Sequence, residues 1–168
     1  PDLPVWLVQR SGEVLSVRSP APPPGLQLEF ERAWPSFQRP HGPGAAILHT
    51  VECCGLPSSG ARAWIIFEAK PGDSVDVPFD LATTGEYTLR LDGLVGGDHG
   101  TWDTSIDGVP LVRWEGYSPN ARFQRGTDSP PRHLAAGRHT FTARCVGKLP
   151  ESRGTVAVFD ALVATPAR

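Results

Sequence analysis

The sequence predicts an all-β fold, an antiparallel β-sandwich of the jelly-roll type. Stretches such as LQLEFER and SVDVPFDL alternate apolar and polar residues, which is the period of a strand with one buried face. Turn signals separate these stretches, for example GGD at residues 96–98 and DG at residues 107–108. No segment carries a helical period, so the chain is read as strands joined by glycine-rich turns.

Length and charge narrow the class of protein. The chain has 168 residues, enough for one domain with a real core. Its 16 basic and 18 acidic residues are nearly balanced, which argues against a nucleic-acid partner. No apolar run approaches the roughly 20 residues that span a bilayer. Because the chain begins at Pro1, we expect it to be an excised or processed piece.

The first residues have their own organisation. PVWLVQ and EVLSVR flank a turn at residues 10–12 and predict a hairpin. SPAPPPG follows, and its four prolines in seven residues predict a stiff, extended connector. We therefore predict an N-terminal hairpin and proline-rich connector over residues 1–25, and a β-sandwich module over residues 26–168.

The pattern predicts about eight to ten strands in the module, a number that is typical of a jelly roll. The segment 123–133 predicts only a broken strand. The last two predicted strands, HTFTARCVG and GTVAVFDALVA, close the domain. Trp64, in ARAWIIFEA, is expected in the core. Alternation places three groups of side chains on shared faces: Leu26, Leu28 and Phe30; Val75, Val77 and Phe79; and Tyr87, Leu89 and Leu91.

Three carboxylates form a candidate metal site. Glu29 and Glu31 lie two apart on one predicted strand, so both project from the same face. Together with Asp160 they offer the hard oxygen ligands that calcium prefers. The alternative is the solvated polar face of an edge strand, which spacing alone favours.

The loop GGDHGTWD is the first candidate ligand site. Asp98, His99 and Asp103 are hydrogen-bonding groups, and Trp102 offers an aromatic face. A sugar site needs such a face for a pyranose and a few fixed polar groups for its hydroxyls. The alternative is that Asp98 and His99 shape the turn while Trp102 packs in the core.

Two more aromatic residues follow nearby, in RWEGYSP. Trp114 and Tyr117 flank a turn there, and we expect them to be exposed. They would then add stacking surface to the same candidate site.

Signatures of catalysis are scarce. The sequence has no G-x-S-x-G, H-E-x-x-H, Walker loop or strand-linked G-x-G-x-x-G. The five histidines are scattered, and His139 reads as structural. Carboxylates are numerous, so a glycosidase-like pair stays open as an alternative.

The three cysteines allow two interpretations. Cys145 forms a disulfide with Cys53 or Cys54 in an exported protein, or the thiols stay free and buried as small hydrophobes. A zinc site is not expected, because a lone CC pair does not supply four ligands.

The order of several motifs resembles one kind of module. PGDSVDVPFDLATTGEYTLRL is followed by DHG, SIDGVPL, EGYSP, LAAGRHTFTARCVGK and SRGTVAVFDALV. This order resembles the galactose-binding-like jelly rolls attached to bacterial carbohydrate-active enzymes, in particular the accessory β-sandwich of fructofuranosidase- and arabinofuranosidase-type glycoside hydrolases. The likeness covers roughly residues 26–166, and its motifs are mostly structural turns.

The resemblance implies a calcium ion. Similar modules often open with E-x-E on the first strand and close with Asp on the last, together holding a structural calcium; LEFER and VFDAL match that pattern.

Two departures from the family pattern affect the expected sugar specificity. CCGLPSSGARAW replaces the usual tryptophan-bearing loop, and His99 stands where a tyrosine is usual.

We therefore predict a non-catalytic carbohydrate-binding or accessory module of an extracellular or cell-surface, bacterial polysaccharide-active enzyme. Its partners are a poly- or oligosaccharide and a catalytic domain in the parent protein. One alternative is a structural sandwich that forms homo-oligomers and has no sugar affinity. A third is a small jelly-roll lyase or hydrolase.

Overall fold

The computed structural model describes the backbone of six short segments and one long one, and the side chains of residues 25–30 and 63–167. The backbone ranges are 7–11, 14–18, 25–30, 36–39, 42–43, 47–49 and 63–167. The regular structure of these residues consists of fifteen β-strands and no α-helix. None of their helical turns is long and apolar enough to cross a membrane.

Two short strands lie in the region of the predicted N-terminal hairpin. Strands β1 (Leu7–Ser11) and β2 (Val14–Arg18) pair antiparallel and form a two-stranded sheet of their own. The proline-rich connector lies outside the described residues, and the domain division at residue 25 stays a prediction.

Six strands form the first sheet of the sandwich, in the order β11-β10-β14-β8-β4-β5. Their bounds are β4 (Ser36–Arg39), β5 (Gly42–Pro43), β8 (Ser74–Leu81), β10 (Thr101–Ile106), β11 (Val109–Glu115) and β14 (Gly137–Gly147). All pairings are antiparallel. Because β11 stands at the end of this order, it is an outer strand of the described sheet.

Seven strands form the second sheet, with the path β12-β9-β15-β7-β6; β13 also pairs with β9, and β3 with β15. Their bounds are β3 (Leu26–Glu29), β6 (Ile47–His49), β7 (Ala63–Ile66), β9 (Gly85–Val95), β12 (Arg122–Gln124), β13 (Arg132–Leu134) and β15 (Ala157–Pro166). The long strands β9 and β15 are its centre. The expected broken strand corresponds to β12 and β13.

One apolar core lies between the two sheets. Phe141 of β14 meets Phe159 of β15 with ring centroids 6.0 Å apart, and Phe30 packs on Phe141 at 5.0 Å. The alternation predicted from the sequence is confirmed: Trp64 and the inward residues of β8 and β9 are buried in this core. The fold is therefore the predicted all-β antiparallel sandwich.

Cys145 is a buried free thiol on β14. Burial raises its pKa, so it behaves as a small hydrophobic residue, in line with the second interpretation of the cysteines. Cys53 and Cys54 lie outside the described residues.

Candidate functional site

Three loops meet at one end of the sandwich and are joined through their backbones. The loop 96–100, between β9 and β10, donates from Gly96 N to the Gly116 carbonyl at 3.0 Å and from Gly100 N to the Val156 carbonyl at 2.9 Å. Ser152 Oγ donates to the His99 carbonyl at 2.7 Å. The glycine-rich stretch is therefore a fixed platform and not a loose turn.

Two glycines make this closeness possible. A Cβ on Gly96 would lie 2.9 Å from the His99 ring, and one on Gly116 would lie 2.6 Å from the Gly100 carbonyl oxygen. Any side chain at either position would push the loops apart or displace the ring.

A pocket of about 310 Å³ opens between these loops and the outer face of the seven-stranded sheet. This volume is within the range of small-ligand sites. We call it the loop-end pocket. Its floor is apolar and consists of side chains from β7, β9 and β15 and the segments beside them: Ile65, Phe67, Leu94, Val156 and Val158.

The rim of the loop-end pocket is polar. Asp98 is exposed, and its Oδ1 lies 3.0 Å from His99 Nδ1. Because a carboxylate only accepts hydrogen bonds, we assign the imidazole proton to Nδ1. His99 Nε2 is buried and has no hydrogen-bond partner within the described chain.

His99 is held in its neutral form. It is 9% exposed, and burial lowers its pKa even though Asp98 acts in the opposite direction. At neutral pH the Asp98–His99 pair therefore carries only the charge of the carboxylate.

Arg153 completes the rim. Its backbone N donates to the Gly97 carbonyl at 3.0 Å, and its Nη2 lies 3.1 Å from the ideal Cβ position of Gly97. The guanidinium thus lies against Gly97, and no carboxylate of the described residues forms an ion pair with it. Its N–H groups are directed donors for a ligand at the pocket mouth.

Two predicted stacking residues are in the core instead. Trp102 is 0% and Trp114 is 3% exposed, so a sugar cannot reach either ring. They face each other across β10 and β11 on the inner side of the sheet, and both meet Phe159 edge-on, at 6.2 and 6.1 Å. The expectation that they form a binding platform, and that Trp114 is exposed, is wrong, because the sandwich needs their bulk inside.

The other predicted ligand residues lie in three places. Asp98 and His99 line the loop-end pocket. Tyr117 is half-buried and bridges to Gly96 through its backbone, beside the pocket but not in its lining. Asp103 lies on the outer face of the other sheet, where Arg113 binds it with two hydrogen bonds of 2.7 and 3.1 Å.

The predicted calcium ligands are described only in part. Asp160 is 1% exposed and lies where the pairing of β15 with β9 shifts register. Glu29 pairs opposite Ala161 on the neighbouring strand, which places the two carboxylate-bearing residues close in the sheet. Glu31 lies outside the described residues, and those residues contain no group of three acidic, histidine or cysteine side chains placed to hold a metal ion. Oxygen donors suit calcium, so the site stays a prediction.

The apolar floor and Arg153 were not predicted. The sequence did indicate the floor, because AWII in β7 is apolar at every position, which is typical of a strand with both faces covered. No sequence pattern indicated Arg153 as a site residue, because it lies in a turn and only the fold brings it beside Gly97.

Comparisons with known proteins agree with this architecture. No protein-family model and no curated protein sequence matches the chain. Among solved structures, a Paenibacillus xanthan lyase aligns with 90% of this chain and 14% of its own, at 16% identity and a TM-score of 0.68.

Two family 35 carbohydrate-binding modules align over nearly their whole length. The module from an environmental isolate covers 84% of this chain and 97% of its own, at 14% identity and a TM-score of 0.54. The module from Clostridium thermocellum covers 86% and 99%, at 14% identity and a TM-score of 0.52.

The chain spans about 14% of the length of the xanthan lyase that it matches but nearly all of the isolated modules. At these identities the likeness concerns the fold. The resemblance seen in the sequence is confirmed at that level: the chain is a jelly-roll sandwich with the fold of family 35 carbohydrate-binding modules.

Proposed function

We propose that this chain is a non-catalytic carbohydrate-binding module and that the loop-end pocket holds the sugar. The observation that carries the proposal is the combination of an apolar floor with one acceptor, Asp98, and one donor without an ion-pair partner in the described chain, Arg153. A sugar ring has apolar C–H faces and a rim of hydroxyls, and it needs both kinds of surface.

The chemistry of neighbouring hydroxyls fits this rim. One hydroxyl can donate to the Asp98 carboxylate while the next accepts from the Arg153 guanidinium. The aliphatic floor contributes by covering the C–H face of the ring. Affinity should be modest, because each new hydrogen bond replaces one to water.

A binding role is better supported than catalysis. The described lining of the loop-end pocket contains one carboxylate, Asp98, whereas glycoside hydrolysis generally uses two flanking the bond. We further propose that the module serves a polysaccharide-active enzyme, extracellular or at the cell surface, with its catalytic domain elsewhere in the parent protein. Alignment with only part of a xanthan lyase, and with isolated modules, supports this arrangement.

Affinity electrophoresis through gels containing galactomannan, β-1,3-galactan, xanthan or dextran tests the proposal. We expect at least one polymer to retard the wild-type chain. Arg153→Ala should weaken binding by about fivefold to tenfold, the loss of one good hydrogen bond. Asp98→Asn should also weaken it.

The matched control is Arg138→Ala, which removes another exposed arginine from the other sheet. Its retardation should equal that of the wild type. Absence of retardation by every polymer, or Arg153→Ala and Asp98→Asn variants that bind as the wild type does, would overturn the proposal.

A second candidate function, self-association, is favoured by one observation. The outer strand β11 exposes Val109 at 56% and Val112 at 38%. Unpaired outer strands with apolar side chains are prone to pairing with another copy. Light scattering measures the oligomeric state of the wild type and of Val112→Lys. If β11 mediates a dimer, the wild type should be dimeric and the variant monomeric.

A further inference from the structure

A larger cavity, of about 860 Å³, lies on the outer face of the six-stranded sheet. It crosses four consecutive strands, β8, β14, β10 and β11, and shares no described lining residue with the loop-end pocket. Because β7, β9 and β15 of the seven-stranded sheet line the loop-end pocket, the two cavities lie on the outer faces of different sheets. We call this one the sheet-face trough and define it by the two rows of residues below.

Strand register fixes the rows. The first row runs across the sheet through the paired positions Ser74, Arg144, Asp103 and Arg113. The second row runs parallel to it through Asp76, Thr142, Ser105 and Pro110. Four strands extend about 14 Å at the usual interstrand spacing. Short side chains in the second row thus form a channel beside the long arginines of the first.

The described lining of the trough carries no net charge. Its two aspartates and two arginines balance. Asp103 is bound by Arg113, whose hydrogen bonds lower its pKa, so this pair stays ionised and satisfied. Asp76 Oδ1 accepts a hydrogen bond of 2.6 Å from Thr142. A strongly charged ligand would find no complementary field here.

Several polar groups in the trough are open to a ligand. Within the described chain, the hydroxyls of Ser74 and Ser105 and the guanidinium of Arg144 have no hydrogen-bond partner. They are separated along the two rows, which suits a ligand with hydroxyls at intervals along its length. Leu111 adds an apolar wall at the β11 end.

We propose that the sheet-face trough is a second carbohydrate site, which binds a stretch of neutral polysaccharide chain laid across the four strands. Its shape, neutrality and spaced hydroxyl partners fit an extended polymer, whereas the loop-end pocket fits one sugar unit. Two weak sites on one module raise affinity for a polymer above that for a short oligosaccharide.

The test uses affinity electrophoresis of the full chain in galactomannan and dextran. Ser105→Arg fills the channel with a long side chain and should reduce retardation severalfold. The matched control, Thr88→Arg, adds the same charge on the outer face of the other sheet and should leave retardation unchanged. Thermal melting establishes whether each variant folds. If Ser105→Arg does not fold, Arg144→Gln tests the trough in its place.

The outcomes separate the two sites. If Arg153→Ala abolishes retardation while Ser105→Arg and Arg144→Gln bind as the wild type does, the trough proposal fails and the loop-end pocket stands. If the trough variants lose binding and Arg153→Ala does not, the trough stands and the pocket fails. If neither polymer retards the wild type, the trough proposal is overturned for neutral polysaccharide.

Discussion

Two buried histidines lie beyond opposite ends of β10 and have opposite pKa shifts. His99 is neutral because burial lowers its pKa. His139 is 8% exposed, and burial also acts to lower its pKa, but hydrogen bonds outweigh that effect. Its Nδ1 lies 2.6 Å from Asp107 Oδ2 and its Nε2 lies 2.8 Å from the Ala135 carbonyl. Both partners are acceptors, so the pair favours the imidazolium, and the pKa of His139 is raised.

Stability should depend on pH through the His139–Asp107 pair. The folded pKa of His139 exceeds its ordinary value of 6.5, so the stabilisation is complete below that value and is lost as pH rises through the folded pKa. Asp107→Asn should therefore lower the melting temperature most near about pH 5.5, and by less near about pH 8.5.

The control for this pH dependence is Glu86→Gln, which removes the carboxylate from the exposed His133–Glu86 pair. Solvent screens that pair, so its removal should change the melting temperature little at either pH. A loss from Asp107→Asn that does not vary with pH would contradict the imidazolium assignment.

The tryptophans show where residue-scale prediction fails. The motif GGDHGTWD predicts a ligand-binding loop that includes Trp102, with packing of Trp102 in the core as the alternative; β10 begins one residue before it, at Thr101, and the alternative is the one observed. Trp102, Thr104 and Ile106 then alternate inward. The residue types from Gly100 to Asp103 do not by themselves separate the end of a loop from the start of a strand. The pairing of β10 with β11 and β14 makes these residues a strand from Thr101 onward.

At the scale of the elements, the long strands were predictable because their alternation is regular. In β8 and β9 the inward side chains are those expected from the sequence. The loop-end pocket was predictable only in part, since Asp98 and His99 stand together in sequence while Arg153 is joined to them by the fold. Sequence spacing carries no information about such distant neighbours.

The pairing of β3 with β15 makes calcium a testable expectation. Buried Asp160 and Glu29 on these neighbouring strands offer oxygen ligands, with Glu31 as the third predicted ligand. Binding to the folded state alone would raise the melting temperature by mass action. We expect millimolar calcium to raise it and a chelator to lower it, with both effects reduced in Asp160→Asn. A melting temperature that neither calcium nor chelator moves would contradict the prediction.

At the scale of the whole molecule, the described strands of the N-terminal hairpin, β1 and β2, pair with each other and with no described strand of either large sheet. Deleting residues 1–24 should therefore leave the melting temperature of the sandwich nearly unchanged, as circular dichroism can measure. A large decrease would show that the hairpin belongs to the folded module and would contradict the predicted division at residue 25.

The sandwich presents two candidate surfaces for sugar, one beside the loops and one across a sheet. The loop-end pocket is central, because it combines an apolar floor with the Asp98 acceptor and the Arg153 donor. Rigid loops support this role, since their backbones are joined by hydrogen bonds across three segments. Little rearrangement should accompany binding.

The most direct test is an amide chemical-shift titration of the nitrogen-15-labelled chain. The ligand is the oligosaccharide mixture released from a polymer that retards the wild type. We predict that amides of residues 96–99 and 153–156 shift in a saturable manner, whereas those around buried Tyr87, which lines neither cavity, do not. Unchanged amides in both loops at saturating oligosaccharide would contradict the assignment of the sugar to the loop-end pocket.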